Sequence, residues 1–203
     1  MALIGTFPTS PGFQSVQLKI NTTTSGTTAL SGRRIRSATG TTVFGATAVF
    51  PTMSQTEFRP ILAFITQARG ALNSFDITFP EISKSSLTST SHTITVASTT
   101  VGGSTEIPVT ATTSDGDDIV KVGDLVRFSN HTKVYMVTET LTESSAGNHF
   151  MKITPGLVNG VSASDTVTYN DVPFRMTLAN DVQEIQVGTE QLYRYELDFI
   201  EEI

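Results

Sequence analysis

Met53-Ser-Gln-Thr-Glu-Phe-Arg-Pro-Ile-Leu-Ala-Phe-Ile-Thr-Gln-Ala-Arg-Gly70 is the stretch on which the fold turns. Ser54 and Glu57 have the S-x-x-E spacing of a capping box, where each side chain serves the other's orphan backbone N–H. Met53 before the cap and Phe58 after it are placed for a hydrophobic staple. Phe58, Ile61, Leu62 and Ile65 then recur at helical spacing, so these four form the expected core face of a covering helix over 54–69. Gly70 stops it, because glycine turns left-handed without a Cβ clash. Pro60 removes one backbone donor inside the helix and predicts a kink or a later start.

Around this helix the chain reads as strands. Val16, Leu18 and Ile20 alternate with Gln17 and Lys19, a half-buried strand, and the polar run 21–28 reads as a loop. Residues 33–39 and 42–50 predict two strands joined at Gly40. After the helix, Phe75, Ile77 and Phe79 alternate with Asp76 and Thr78 until Pro80 ends the strand. From about residue 85 the chain turns to serine, threonine and glycine, with strands expected at 93–97, 106–110, 125–128, 133–140, 149–154, 166–169 and 174–178. The hairpin from 133–140 to 149–154 turns at 144–148. Finally Tyr193, Tyr195, Leu197 and Phe199 alternate with Arg194, Glu196 and Asp198, one packed side and one wet side of a long strand.

The fold class expected from this order is mainly β. A β-sandwich or sheet with one covering α-helix is built from 1–84 and 179–203, and an inserted all-β, barrel-like domain, a small barrel or a sandwich, occupies 85–178. Roughly one residue in six is threonine, which suits strands and polar turns. A formal net charge of -6 argues against a protein that grips nucleic-acid phosphates over its whole surface. There is no cysteine, which excludes disulfides and thiolate chemistry. The first eight residues lack the basic and apolar regions of a secretory signal, and no run is long enough to span a bilayer, so synthesis in the cytoplasm and no membrane partner are expected.

No catalytic, cofactor-binding or metal-binding set emerges. His92, His131 and His149 stand far apart without metal-ligand spacing, and His131 reads as part of a turn. Asp115, Asp117 and Asp118 lack the ligand spacing of a calcium loop. The basic cluster Arg33, Arg34 and Arg36 keeps two readings open: an edge strand protected by charge, or an assembly interface facing a neighbour or a polyanion. Asp76, Glu81 and His131 are the residues to change should turnover ever be found.

The order basic strand, glycine-containing strand, capped helix and proline-ended strand resembles the distal tail proteins of long-tailed bacteriophages, the group that includes minor tail protein M. The residues that carry it are Leu30-Ser-Gly-Arg-Arg-Ile-Arg36, Val43-Phe-Gly-Ala-Thr-Ala-Val-Phe-Pro51, the helix from Phe58, Arg69-Gly-Ala-Leu-Asn-Ser-Phe75 and the closing Phe79-Pro80. Lys121-Val-Gly-Asp-Leu125, Lys133-Val-Tyr-Met-Val-Thr138 and Gly147-Asn-His-Phe-Met-Lys-Ile-Thr-Pro155 look like a small barrel inserted in related tail proteins. The turn Ser37-Ala-Thr-Gly40 departs from the Gly-Asp-Gly pattern associated with that position. The resemblance implies a tail-tube-like sheet and a non-enzymatic virion protein at the tail tip. It further implies a ring, usually hexameric, that would join the tube protein to the hub and receptor-binding parts while DNA passes without specific recognition. A carbohydrate-binding or adhesive β module is the alternative, motivated by the threonine-rich 85–178 segment.

Overall fold

A computed structural model describes residues 2–38, 42–144, 149–188 and 192–203. Six strands form the first sheet, in the order Leu3–Thr6, Ser74–Ile77, Phe174–Leu178, Glu196–Glu201, Val43–Val49 and Ser15–Asn21. Its first pair is parallel and every other pair antiparallel. One face carries Phe75, Ile77, Phe174, Met176, Leu178, Leu197, Phe199, Phe44, Ala46 and Ala48, all buried. Period-two alternation puts these residues on a single side, as the sequence pattern requires. Gln55–Ala68 is the helix that covers this face.

Glu57 closes the start of the helix: its carboxylate accepts from the Ser54 N–H at 2.9 Å and the Ser54 hydroxyl at 2.8 Å. Phe58, Ile61 and Ile65 are buried as expected, whereas Leu62 is 37% exposed. At about 100° per residue, Leu62 falls roughly 40° past Phe58, while Ile65, Ile61 and Ala68 fall on its other side. The buried arc is therefore centred between Phe58 and Ala68, and Leu62 lies off it. Pro60 does not delay the start, since the helix begins at Gln55. Amphipathic packing carries such a helix more than its own backbone bonds, so one missing donor is tolerated. Arg69 takes the left-handed conformation at the C-cap (φ 54°), and Gly70 follows at φ 64°. A Cβ on Gly70 would collide with Asp181, so glycine is required there twice over.

Under the helix lies a phenylalanine cluster. Phe58 stacks on Tyr193 at 4.8 Å between ring centroids, and Phe64 meets Phe7 and Phe75 edge-on at 5.2 and 5.3 Å. Burying one such ring stabilises by about 1.5–3 kcal/mol, and edge-to-face pairs add about 0.5–1.5 kcal/mol.

The second body is a closed barrel of Leu125–Phe128, Val134–Val137, His149–Thr154, Glu106–Ala111, Ile94–Val96 and Thr166–Thr168. Val126, Phe128, Tyr135, Val137, Met151 and Ile153 belong to its own core. The alternate residues Leu125, Val134 and Met136 pack instead into the core of the six-stranded sheet. Val134–Val137 reads as continuously apolar because both of its faces are covered.

Three further expectations meet a different structure. Phe174–Leu178, expected with the barrel, hydrogen-bonds between Ser74–Ile77 and Glu196–Glu201 in the six-stranded sheet. Within 21–28, expected as a loop, Thr24–Thr28 is a strand paired with Arg34–Ala38. The long C-terminal strand divides into Tyr193–Arg194 and Glu196–Glu201, because its first part turns aside to pair with Gln186–Val187. Gly40, and residues 145–148 of the expected hairpin turn, lie outside the described residues.

Candidate functional site

Three features of the described residues stand out as candidate sites. The first is an arm. Ser15–Asn21 and Val43–Val49 pair through Asn21 and Val43, and the same two chain segments pair again from Thr24 with Ala38 to Thr28 with Arg34. The Thr22 and Thr42 hydroxyls meet at 3.0 Å between the two ladders. A two-stranded ribbon thus runs off the end of the sheet, and every residue of both its strands is exposed. At its tip the Ala29 N–H bonds to Arg33 C=O at 2.9 Å, and Gly32 takes φ 78°. Arg34 and Arg36 share one face, opposite Thr28 and Gly26, while Ile35 faces the other way. Arg33, Arg34 and Arg36 are all exposed, and among the described residues none has a carboxylate partner.

The second feature is a groove at the opposite end of the same sheet. It encloses about 1230 Å³ and is lined by residues 180–186, by Arg194, Tyr195, Glu196 and Asp198, and by Gln14, Val49, Phe50 and Thr52. Its walls are fixed from beneath. Asp181 accepts from the Ala71 N–H at 3.0 Å, and the Tyr195 hydroxyl donates to Gln183 Oε1 at 3.0 Å. Burial pushes the Tyr195 phenol up to about 12. On the floor, the Thr47 hydroxyl and, at 3.1 Å, the Lys19 ammonium bind Asp198 and hold its carboxyl below the usual aspartate range. Val182 and Ile185 stand exposed beside the groove at 77% and 41%.

The third feature is the joint between sheet and barrel. Carrying the C-terminal alternation two residues past Phe199 puts Glu201 on the packed face, where its side chain is fully buried. It forms an ion pair with the equally buried Lys133 and accepts from the Val134 N–H at 2.8 Å and the Phe44 N–H at 2.9 Å. The Lys133 ammonium also lies 4.5 Å from the centre of the Phe44 ring. Burial pulls its pKa below the ordinary lysine value, and the Glu201 charge opposes that shift. A second clasp joins Asp76 to Arg175 at 2.7 Å and to Arg127 of the barrel at 3.4 Å. A third uses Asp124, which accepts from the Ser85 hydroxyl and from both the N–H and the hydroxyl of Ser86.

The residues named for an enzymatic reading are each occupied elsewhere. Asp76 is in the second clasp, and Glu81 pairs with Lys84 at 3.0 Å. His131 is buried, shares a 2.8 Å hydrogen bond with the Tyr135 hydroxyl, and is pushed below the usual histidine pKa by that burial. Among the described residues no three histidine or carboxylate side chains cluster as metal ligands, and no helix is long and apolar enough to cross a membrane.

Sequence reasoning named the arginines but missed the arm beneath them, the groove and the joint. Only the joint left a signal, in the continued alternation of the last strand.

No curated protein matches the chain. Residues 85–172, which comprise the barrel and its connections, match the family model described as distal tail protein pb9, B domain.

Proposed function

We propose that the chain is a structural subunit of a phage tail that assembles into a ring at the distal end of the tube, connecting tube protein to hub and receptor-binding parts. The observation that carries this reading is the match of residues 85–172 to a distal tail protein domain. The domain division proposed with it is a discontinuous host, formed by the six-stranded sheet and its helix, interrupted by the matched segment. Open edges at Leu3–Thr6 and Ser15–Asn21 and the exposed arm support assembly, because unpaired strand edges invite a neighbour's strand. A hexamer at the tail tip, with DNA passing through without specific recognition, follows from the same family resemblance. The arginines Arg33, Arg34 and Arg36 are its proposed interface, and the reading assigns the chain no catalysis.

The test is assembly of the purified protein. Light scattering at high concentration and electron microscopy with tube or hub partners are expected to show closed rings. A chain that stays monomeric under both conditions removes the ring. The carbohydrate reading was motivated by the threonine-rich segment, and that segment is the one that matches a tail domain. Binding of the full chain on a glycan array would restore it.

A further inference from the structure

We infer that the basic arm of one copy docks in the acidic groove of a second copy, a head-to-tail contact that rests on the reading of the chain as self-assembling. The two surfaces are complementary in charge. No acid interrupts the sequence between Thr22 and Thr42, so the arm carries only the charges of Arg33, Arg34 and Arg36. The groove presents Asp181, Glu184, Glu196 and Asp198 against Arg194 alone. Asp181 and Asp198 already have partners within the chain. Glu184 and Glu196 are exposed and, among the described residues, make no ion pair, which leaves them to meet an incoming guanidinium.

The apolar residues agree. A ribbon lying in a groove touches walls on both faces. With Arg34 and Arg36 against the acids, Ile35 (55% exposed) turns toward the lip where Ile185 and Val182 stand exposed. The topology excludes docking within one chain as the simplest arrangement. The arm leaves the sheet beyond the Asn21 and Val43 end, while the groove lies at the Ser15, Val49 and Glu196 end of the same strands. Seven residue steps from Thr22 to Ala29 give the arm a reach of about 24 Å, enough to cross a subunit boundary. Because donor and acceptor surfaces differ, the contact is heterologous and repeats around a ring if its rotation closes.

The absence of native cysteine allows a direct test. A full-length I35C chain is mixed with an I185C chain at high concentration under oxidation, with I35C plus V101C as the control pair. The expected result is disulfide-linked dimer well above the control. In parallel, R33E/R34E/R36E and E184K/E196K are each expected to weaken self-association about tenfold or more, and mixing the two to recover it. Equal cross-linking in both pairs overturns the docking. So does an arm reversal that lowers retention on a polyanion column but leaves self-association unchanged. Rings that form normally despite both reversals leave the ring reading standing and remove this contact. Specific cross-linking in a protein that never closes rings does the opposite.

Discussion

The barrel and the arm are both made of antiparallel hairpins, and they solve the same problem in opposite ways. In the barrel every strand has two neighbours, so no backbone edge is left open, and Val126, Phe128, Tyr135 and Met151 fill the interior. In the arm the strands have one neighbour each, no side chain is buried, and three arginines stand unpaired among the described residues. The difference separates the regions that carry stability from the one proposed to carry assembly. A two-stranded ribbon is marginal by itself in water, so its order depends on the sheet it continues and on whatever it meets. Substitutions in the barrel, its joint and the helix-covered sheet should therefore cost folding, and substitutions in the arm should cost association.

The largest effect is expected at the joint. Glu201→Ala removes a buried carboxylate and leaves the Lys133 ammonium and two backbone N–H groups unsatisfied, a loss of about 3–5 kcal/mol. Urea unfolding would measure it, and a change below 1 kcal/mol would mean that water reaches Lys133. Phe58→Ala comes next, with an expected loss of about 3 kcal/mol from the cavity left beside Tyr193 and Tyr195. Thermal unfolding followed in the near ultraviolet checks it.

Tyr135→Phe is smaller, at about 1 kcal/mol near neutral pH, because the ring stays and the hydroxyl bonds to His131 and Val158 go. This residue also sharpens the comparison through pH. Burial pushes both Tyr135 in the barrel and Tyr195 under the helix up to about 12. An unfolded phenol titrates near 10, so the folded protein holds protons that the unfolded chain has released. The stability from these groups is complete below pH of about 10 and is lost as pH rises through about 12. Alkaline unfolding curves of Tyr135→Phe and Tyr195→Phe should each lose part of that slope. If only one of them does, the other ring is reached by water.

The smallest stability effect belongs to R33E/R34E/R36E, expected to stay within about 0.5 kcal/mol of the parent in urea while assembly collapses. A large loss of folding stability there would dissolve the contrast between the two regions.

What could be read from the chain divides along the same line. The helix was legible because capping chemistry and a 3.6-residue period agree over Ser54 to Ala68, and the last strand from Glu196 because Leu197 and Phe199 alternate with Glu196 and Asp198, whereas the same alternation at Tyr193 and Tyr195 hid the break after Arg194. The Thr24–Thr28 strand was not legible: with both faces wet, nothing selects one residue in two, and its only reason to be extended is a partner ten residues on. Leu62 misled because its spacing fits a helical stripe whose true centre lies on the other side of Phe58. The arginines were visible as a cluster, but their placement on a protruding ribbon depends on strand pairing that composition does not encode. The groove needed residues from four chain segments, and the Glu201–Lys133 pair needed two residues far apart in sequence, so neither could be found by local pattern.

The buried pair at the joint has a mechanical consequence. The barrel is tethered to the sheet by two covalent connections, leaving Ile77 and returning at Phe174, which face each other across adjacent strands. Two tethers so close together would form a hinge. Glu201 reaching Lys133 from a different strand adds a third point of support away from that line, and three such points define a rigid bracket. A pull or twist applied to the barrel is then delivered to the sheet without slack, as the proposed position between a tube and its tip would require.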